Sequence, residues 1–500
     1  MTRPTPLWLL VFLQAAVSAA SLVVEIVAGR MLAPYVGMSL YTWTSVIAVV
    51  LAGFSAGHWW GGRIAERDSD SALRVTGWAL IGAAATTGIA VMLLQLSAGP
   101  VLTALPRPVW GITALTLVAF FLPSFFAGVP APVLAQIAVR EHDRSGPALG
   151  AMFASGAVGA IAGTLLAGFV FISWLGSALT LAVVTVTYVA SAALCLNLGG
   201  AAGRKLALPA LAGLLSIALA GASLARPSPC DTESQYFCIR TQDISADPSA
   251  PVNLMVLNHL AHGISARDLP RVMFTDYTAM LDAIARARHG DSGFSGFFIG
   301  GGSYSIPRAW ADRGIGPLTV AEIDPAVTAT ATRDFWFDPA SATVLDTDAR
   351  RALRESDTRY DVIIGDAFTD IAVPAHLVTR EFFELVRSRL TPGGSYLMNV
   401  IDYEDRLEAL SALTATLRDV FPSVEVWTEQ RAPEPGERMI FVIVAGDAPT
   451  PVGSLSTPSP DLTRYGALSD GFVAQMLART DPVILTDDYA PIDRLVSPRD

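Results

Sequence analysis

The stretch GFFIGGGSYSIPRAWADR, residues 296–313, decides the fold of the second half of this chain. A short apolar run ends in three consecutive glycines, and a longer segment follows, so it reads as strand, glycine turn and helix. The plan repeats downstream. PLTVAEIDPAVTATATRDF (317–335) is a second strand and helix with an acidic residue at the strand end. ATVLDTDARRAL (342–353) is a third unit, and YDVIIGDAF (360–368) a fourth strand followed by the helix REFFELVRSRL (380–390). TPGGSYLMNVID (391–402) is the next turn and strand, and VEVWTEQ (424–430) and ERMIFVIVAG (437–446) read as the last two strands, antiparallel. Such alternation predicts a parallel sheet with crossover helices.

In open α/β sheets, ligands bind at the carboxyl ends of the strands. Four successive strand ends here carry Gly300, Gly301 and Gly302, then Glu322, then Asp348, then Asp366. Glycines let the backbone approach a ligand, and the helix after them presents free N–H groups. A carboxylate about 20 residues after the turn suits the two hydroxyls of a ribose. Asp348 is placed to receive an adenine amino group, and Asp366 would face the reacting atom. Each residue alone reads as a turn or a solvated loop; four in register predict a nucleoside site. His376, in the loop after Asp366, is an acid or base for neutral pH or a surface histidine. Asp487 and Asp488 in LTDDYAPID (485–493) would close over the site, bind an amine or metal, or form a solvated turn. No His, Cys and carboxylate cluster has metal spacing, so no metal is expected.

Upstream the character changes. Of the 500 residues, 52% are hydrophobic, and the mean hydropathy is +0.46, too apolar for an ordinary soluble protein. Residues 1–225 carry 10 Lys+Arg against 6 Asp+Glu; residues 226–500 carry 24 against 39. The acidic half argues against nucleic acid, whose phosphates need a basic surface. Three cysteines are too few for a disulfide scaffold. Runs long enough to span a bilayer lie near 7–29, 41–62, 75–97, 109–138, 147–172, 176–198 and 205–225, which predicts about seven helices. The expected domains are a transmembrane unit (1–225), a linker and small β region (226–290), the α/β domain (291–450) and a C-terminal extension (451–500). In the β region SQYFCIRTQ (234–242) and VNLMVLNHL (252–260) read as two strands.

Loop charge orients the helices. Arg3, Arg63, Arg67, Arg74, Arg140, Arg144, Arg204 and Lys205 fall on one side, Arg30 and Arg107 on the other. The first side should be cytoplasmic, in an inner or plasma membrane. An odd number of spans then puts the second half outside, where the spacing of Cys230 and Cys238 permits a small disulfide loop. Glu25 lies inside the first span with Arg30 near its end, as a functional carboxylate or as an ion pair fixing helix packing. GHWWGGRIAERD (57–68) resembles the loop signature of major-facilitator transporters and also reads as a tight cytoplasmic turn.

The motifs ESQY (233–236), IGGG (299–302), EID (322–324), DAR (348–350), YDVIIGD (360–366) and VPAHL-T (373–379) resemble the spermidine synthase family. The whole chain resembles its subgroup in which a transporter-like multispan domain is fused to the synthase-like domain. The resemblance implies a small β region before a Rossmann-like, class I methyltransferase-like domain, and a homodimer through the soluble domain. It implies decarboxylated S-adenosylmethionine as donor, with its aminopropyl group moved to an amine acceptor. By analogy Glu322 holds the ribose, Asp348 the adenine, and Asp366 deprotonates the amine, while Tyr236 and Tyr277 line the acceptor side. The family's GGGDGG is GGGSYS here, so Ser303 replaces the Asp that grips the donor amine. Phe237 and His262 replace two glutamines, Tyr-His-Glu is Tyr277-Thr278-Ala279, and the acidic loop becomes DAFTD with Asp370 displaced by one residue. A polyamine pocket needs carboxylates to offset desolvated ammonium groups. The loss favours a different acceptor or intact S-adenosylmethionine, and hence methyl transfer to an exported or lipid-linked acceptor. A third expectation is a transporter or sensor of polyamine or nucleoside with a non-catalytic binding domain.

Overall fold

The structure, a computed structural model, describes residues 5–368 and 373–496. It divides into two compact units, Met1–Cys238 and Ile239–Asp500.

The first unit is helical: α1 (Leu7–Val36), α2 (Leu40–Ile64), α3 (Ser69–Ala104), α4 (Pro108–Gly128), α5 (Pro130–Glu141), α6 (Ser145–Leu166), α7 (Ile172–Leu198) and α8 (Arg204–Leu224), then the two-residue strand β1 (Thr232–Glu233). Six helical runs among the described residues are long and apolar enough to cross a membrane. Seven spans are expected from the sequence, and the difference lies in one run. Ser145–Leu198 is continuous over 54 residues, about 80 Å at 1.5 Å per residue, against an apolar bilayer core of about 30 Å. It breaks its helical geometry at Gly176, with φ 72° and ψ 171°, so it divides into two spans there. Small residues set the close helix crossings. A Cβ on Gly159 or Gly163 of α6 would strike the α1 backbone at Ala15 or Ala19. The stretch 57–64 is still α2, and only Ala65–Asp68 forms the turn, where Asp68 caps α3 by accepting from Ser71 N–H at 2.9 Å.

The second unit opens with an antiparallel meander, β2 (Cys238–Asp243), β3 (Val252–Leu257) and β4 (Leu260–Ala266). VNLMVLNHL is therefore not one strand. The chain reverses at Asn258, whose φ of 56° is the left-handed geometry that Asn tolerates. After α9 (Asp276–His289) come β5 (Gly296–Ile299), α10 (Ser305–Asp312), β6 (Leu318–Glu322), α11 (Pro325–Asp334), β7 (Thr343–Asp346), α12 (Ala349–Glu355), β8 (Tyr360–Gly365), α13 (Arg380–Ser388) and β9 (Leu390–Tyr403). These are followed by α14 (Glu408–Val420), β10 (Ser423–Glu429), β11 (Arg438–Gly446), β12 (Ser454–Pro458), β13 (Leu462–Ala467), α15 (Asp470–Thr480) and α16 (Ile492–Val496).

One nine-stranded sheet runs β12-β13-β10-β11-β9-β8-β5-β6-β7. The run from β9 to β7 is parallel, and β11, β10, β13 and β12 are antiparallel. The β10–β11 pair is antiparallel as expected but does not end the sheet, because residues past 450 supply β12 and β13. β12 alternates exposed and half-buried residues, and β13 buries only Tyr465 and Gly466, so they lack the apolar runs that mark β5 and β8. β5 is buried along its whole length, as a strand covered on both faces must be.

Candidate functional site

The register of the parallel strands brings their carboxyl ends level. Ile299 pairs with Ala321 of β6 and Gly365 of β8, and Glu322 pairs with Asp346 of β7. Gly300 N–H then donates to Ala321 O at 2.9 Å, and Asp366 N–H to Ile299 O at 3.1 Å. At this point the chain needs glycine. Gly300 has φ 89°, and a Cβ on it would lie 2.8 Å from Asp366 O. A Cβ on Gly301 would strike the ring of Tyr304, which is buried beneath the turn with its hydroxyl 2.7 Å from Thr328 Oγ1.

Glu322 is 5% exposed. Its Oε2 accepts from Gly301 N–H at 2.8 Å and its Oε1 from Asp324 N–H at 3.0 Å. Burial raises its pKa against the pull of these donors. Gly302 N–H adds a third backbone donor; a carboxylate has about four acceptor sites, so one remains. The glycine turn and Glu322 thus form one hydrogen-bonded piece.

Asp366 follows β8. Asn399 of β9 donates its Nδ2 to Asp366 Oδ1 at 2.9 Å, and burial pushes the Asp366 carboxyl up to about 6. A small cleft joins Asp366 to Gly300, Gly301, Ser303, His262 and Tyr277. The Tyr277 hydroxyl donates to His262 O at 3.1 Å, and its pKa is raised by burial and by Asp366. Burial, with His259 beside it, pushes the His262 imidazole down to about 4, so the ring is neutral at pH 7.

Ser303 within the cleft, and Asp348, His376 and Asp487 beyond it, have partners of their own. Ser303 is 3% exposed, and its hydroxyl lies 2.7 Å from Ser305 Oγ. Its Oγ occupies the space that a Cβ on Gly263 would need. Asp348 does not end β7 but caps α12, accepting from Arg351 N–H at 2.9 Å. Its other oxygen is 2.7 Å from His376 Nε2. Asp370 lies outside the described residues. Asp487 is taken up by Arg350, at 2.7 and 2.6 Å, and by the Thr379 hydroxyl at 2.7 Å; Arg350 holds its carboxyl down at about 2. No group of three or more His, Cys, Asp or Glu side chains suited to a metal occurs among the described residues.

Tyr236 belongs to the first unit. It sits in a loop closed by a Cys230–Cys238 disulfide with Cα atoms 5.2 Å apart. Arg30 donates to Tyr236 O and Ser234 O, both at 2.6 Å, so these interactions of Arg30 are with loop carbonyls and not with Glu25. Sequence reading missed Asn399, although an amide inside the apolar strand SYLMNVI is the signal that points to it.

Level strand ends carrying a glycine turn and two carboxylates define a Rossmann-like domain of the class I methyltransferase type. No family model matches the chain. It is 30% identical over 195 residues to a probable polyamine aminopropyl transferase of Bifidobacterium longum, covering 36% of this chain and 43% of that one. It is 28% identical over 411 residues to polyamine aminopropyltransferase 2 of Streptomyces coelicolor, 77% of this chain and 70% of that one. It is 31% identical over 177 residues to an N-terminal histidine N-methyltransferase of Emericella nidulans, 33% and 31% of the two chains. The chain is similar in sequence to these polyamine aminopropyltransferases and spans under half the length of the Bifidobacterium relative.

Proposed function

We propose that this chain is a membrane-integrated, spermidine-synthase-like transferase that moves the aminopropyl group of decarboxylated S-adenosylmethionine to an amine. The observation that carries this reading is the cleft where Asp366, with a carboxyl poised near neutrality, meets Tyr277 and the glycine turn. Gly300, Gly301 and Gly302 let the donor approach, Glu322 takes a ribose hydroxyl with its remaining acceptor site, and Asp348 takes the adenine amino group. The acceptor nitrogen attacks the carbon next to the sulfonium. A C–N bond forms, the C–S bond breaks with its electron pair going to sulfur, and the ammonium proton passes to Asp366. Because a sulfonium leaves readily, the protein's contribution is alignment and a proton acceptor. The Tyr277 hydroxyl gives its proton to His262 O and keeps lone pairs for the ammonium. His262, being neutral, does not repel it. His376 serves by holding Asp348.

Methyl transfer from intact S-adenosylmethionine is the second reading. It is favoured by Ser303, which brings no carboxylate to the position where the aminopropyl donor's amine would need one. The six apolar helical runs support membrane integration. The loop arginines and the Cys230–Cys238 disulfide favour a soluble domain outside the cytoplasm.

The test offers the full chain, purified in detergent, decarboxylated or intact S-adenosylmethionine, with and without putrescine. Methylthioadenosine that depends on putrescine and disappears in Asp366→Asn is expected. S-adenosylhomocysteine would favour the second reading, and saturable donor binding without either product would favour a binding domain.

A further inference from the structure

The segment after β11 clasps α9 at both ends, and α9 carries Tyr277 into the cleft. At the carboxyl end of α9, Arg288 donates to Thr450 Oγ1 at 2.9 Å and to Ala448 O at 2.8 Å. At the amino end, Asp276 Oδ1 accepts from the Tyr465 hydroxyl of β13 at 2.7 Å, and the Ser459 hydroxyl stands 3.4 Å from the same oxygen. Tyr465 is fully buried, and β13 is registered on β10 with Glu429 opposite it. Its hydroxyl is therefore a fixed point of the sheet.

The first turn of α9 depends on that point. Its cap residue Thr275 makes no side-chain cap hydrogen bond, so the local device that usually anchors a helix start is missing. Thr275 and Thr278 bond each other, which sets the shape of the turn and not its place against the sheet. Burial of Ala279, Met280 and Leu281 seats the helix, but apolar contact is non-directional. Asp276 immediately precedes Tyr277, whose hydroxyl reaches His262 O at 3.1 Å. The glycine turn and Glu322, by contrast, are held by their own hydrogen bonds on β5 and β6. A shift of α9 thus reaches the acceptor side of the cleft and spares the donor side.

We propose that Tyr465 is a positioning residue for the acceptor: through Asp276 it sets the first turn of α9, and with it the Tyr277 hydroxyl. The chain beyond residue 450 is then part of the frame of the acceptor site. That the acceptor is an amine rests on the aminopropyl reading above; the clasp itself does not.

The full chain in detergent is tested in two arms. Amide exchange needs no turnover. Tyr465→Phe, which keeps the buried ring and removes only the hydroxyl, should speed exchange in the first turns of α9, residues 276–283, and leave residues 296–302 unchanged. Kinetics with decarboxylated S-adenosylmethionine and putrescine should show the KM for putrescine raised about tenfold and that of the donor unmoved. Asp276→Ala should copy Tyr465→Phe, while Asp276→Asn, which keeps an oxygen for the Tyr465 proton, should keep the KM of the unaltered protein. In a Tyr277→Phe background, Tyr465→Phe should add no further rise, because the hydroxyl it positions is gone. Unchanged exchange, an equal rise in both KM values, or a full further rise in the Tyr277→Phe background would each overturn the proposal. Absence of product from the unaltered chain would instead overturn the aminopropyl reading, and exchange alone then decides this one.

Discussion

Asn399 donates its side-chain amide to Asp366 at 2.9 Å, and this is the contact that opposes the effect of burial on the carboxyl. Burial raises the Asp366 pKa to about 6, and the Asn399 hydrogen bond lowers it, because a donor favours the charged form. In the proposed transfer Asp366 is the base and must be ionised, so kcat/KM should rise with pH through about 6. Asn399→Leu removes the donor and should move that limb to higher pH, with the plateau reached later. A pH–rate profile of both proteins checks this, and an unmoved limb would show that another group sets it. Asp366→Asn should lower turnover by about 10²–10⁴ with donor binding retained.

The same pair makes a stability prediction. The folded state binds a proton on Asp366 more tightly than the unfolded chain does, so between roughly pH 4 and 6 it carries more protons. Stability must therefore fall as pH rises through that window. Asp366→Asn should flatten that slope in chemical denaturation of the full chain. A slope equal to that of the unaltered protein would place the titration elsewhere.

The loop that carries Tyr236 is fixed three times over within the first unit. Arg30 reaches the carbonyls of Ser234 and Tyr236, Ser177 N–H donates to Glu233 at 3.0 Å, and the disulfide closes the loop. Arg30→Gln removes charge-assisted bonds worth about 1.5–3 kcal/mol each and should expose the loop to protease. The two cysteines also report the side of the membrane. After mild reduction of intact cells, an impermeant maleimide should label Cys230 and Cys238 if this loop lies outside the cytoplasm. Labelling only after lysis would reverse the orientation read from the arginines.

What could be read from the sequence follows from periodicity. Apolar runs with glycines and acids at their ends announced β5 to β8, and with them Gly300–Gly302, Glu322 and Asp366. β12 and β13 were illegible because an edge pair largely open to solvent, SLSTP and LTRYGA, has no apolar run. The hairpin turn at Asn258 was hidden inside one apolar stretch, since only its positive φ marks it. The partners of Asp348 and Asp487 could not be foreseen at all. His376 is 28 residues from the first and Arg350 is 137 from the second, and such contacts depend on topology.

Arg350 grips Asp487 with two hydrogen bonds and also donates to His376 O at 3.1 Å. It thereby ties the C-terminal segment to the loop after Asp366. The Asp487 carboxyl is held at about 2, so the tie is complete above pH 4 and weakens as pH falls toward 2. Because Asp487 is 44% exposed, Arg350→Ala should cost little global stability, about 1 kcal/mol or less. Its effect should be local, as faster amide exchange over residues 485–496. Unchanged exchange there would mean that buried Leu485 and Ile492 anchor the segment unaided.

Ser303 gives the most discriminating substitution. If the proposed donor site lacked only a carboxylate at this position, Ser303→Asp would strengthen binding of decarboxylated S-adenosylmethionine. The geometry argues otherwise. The Ser303 hydroxyl is buried against Ser305, which in turn donates to Ile264 O at 3.1 Å, and the β4 backbone at Gly263 leaves no room for a larger group. An Asp in that rotamer buries an unpaired charge, which proteins avoid or neutralise. Ser303→Asp should therefore lower the melting temperature and leave donor affinity unimproved. Calorimetric titration of the variant with decarboxylated and intact S-adenosylmethionine decides the matter. A tenfold gain for the decarboxylated donor, at unchanged stability, would show that the side chain can turn into the cleft and that one acid is all the proposed donor site lacks.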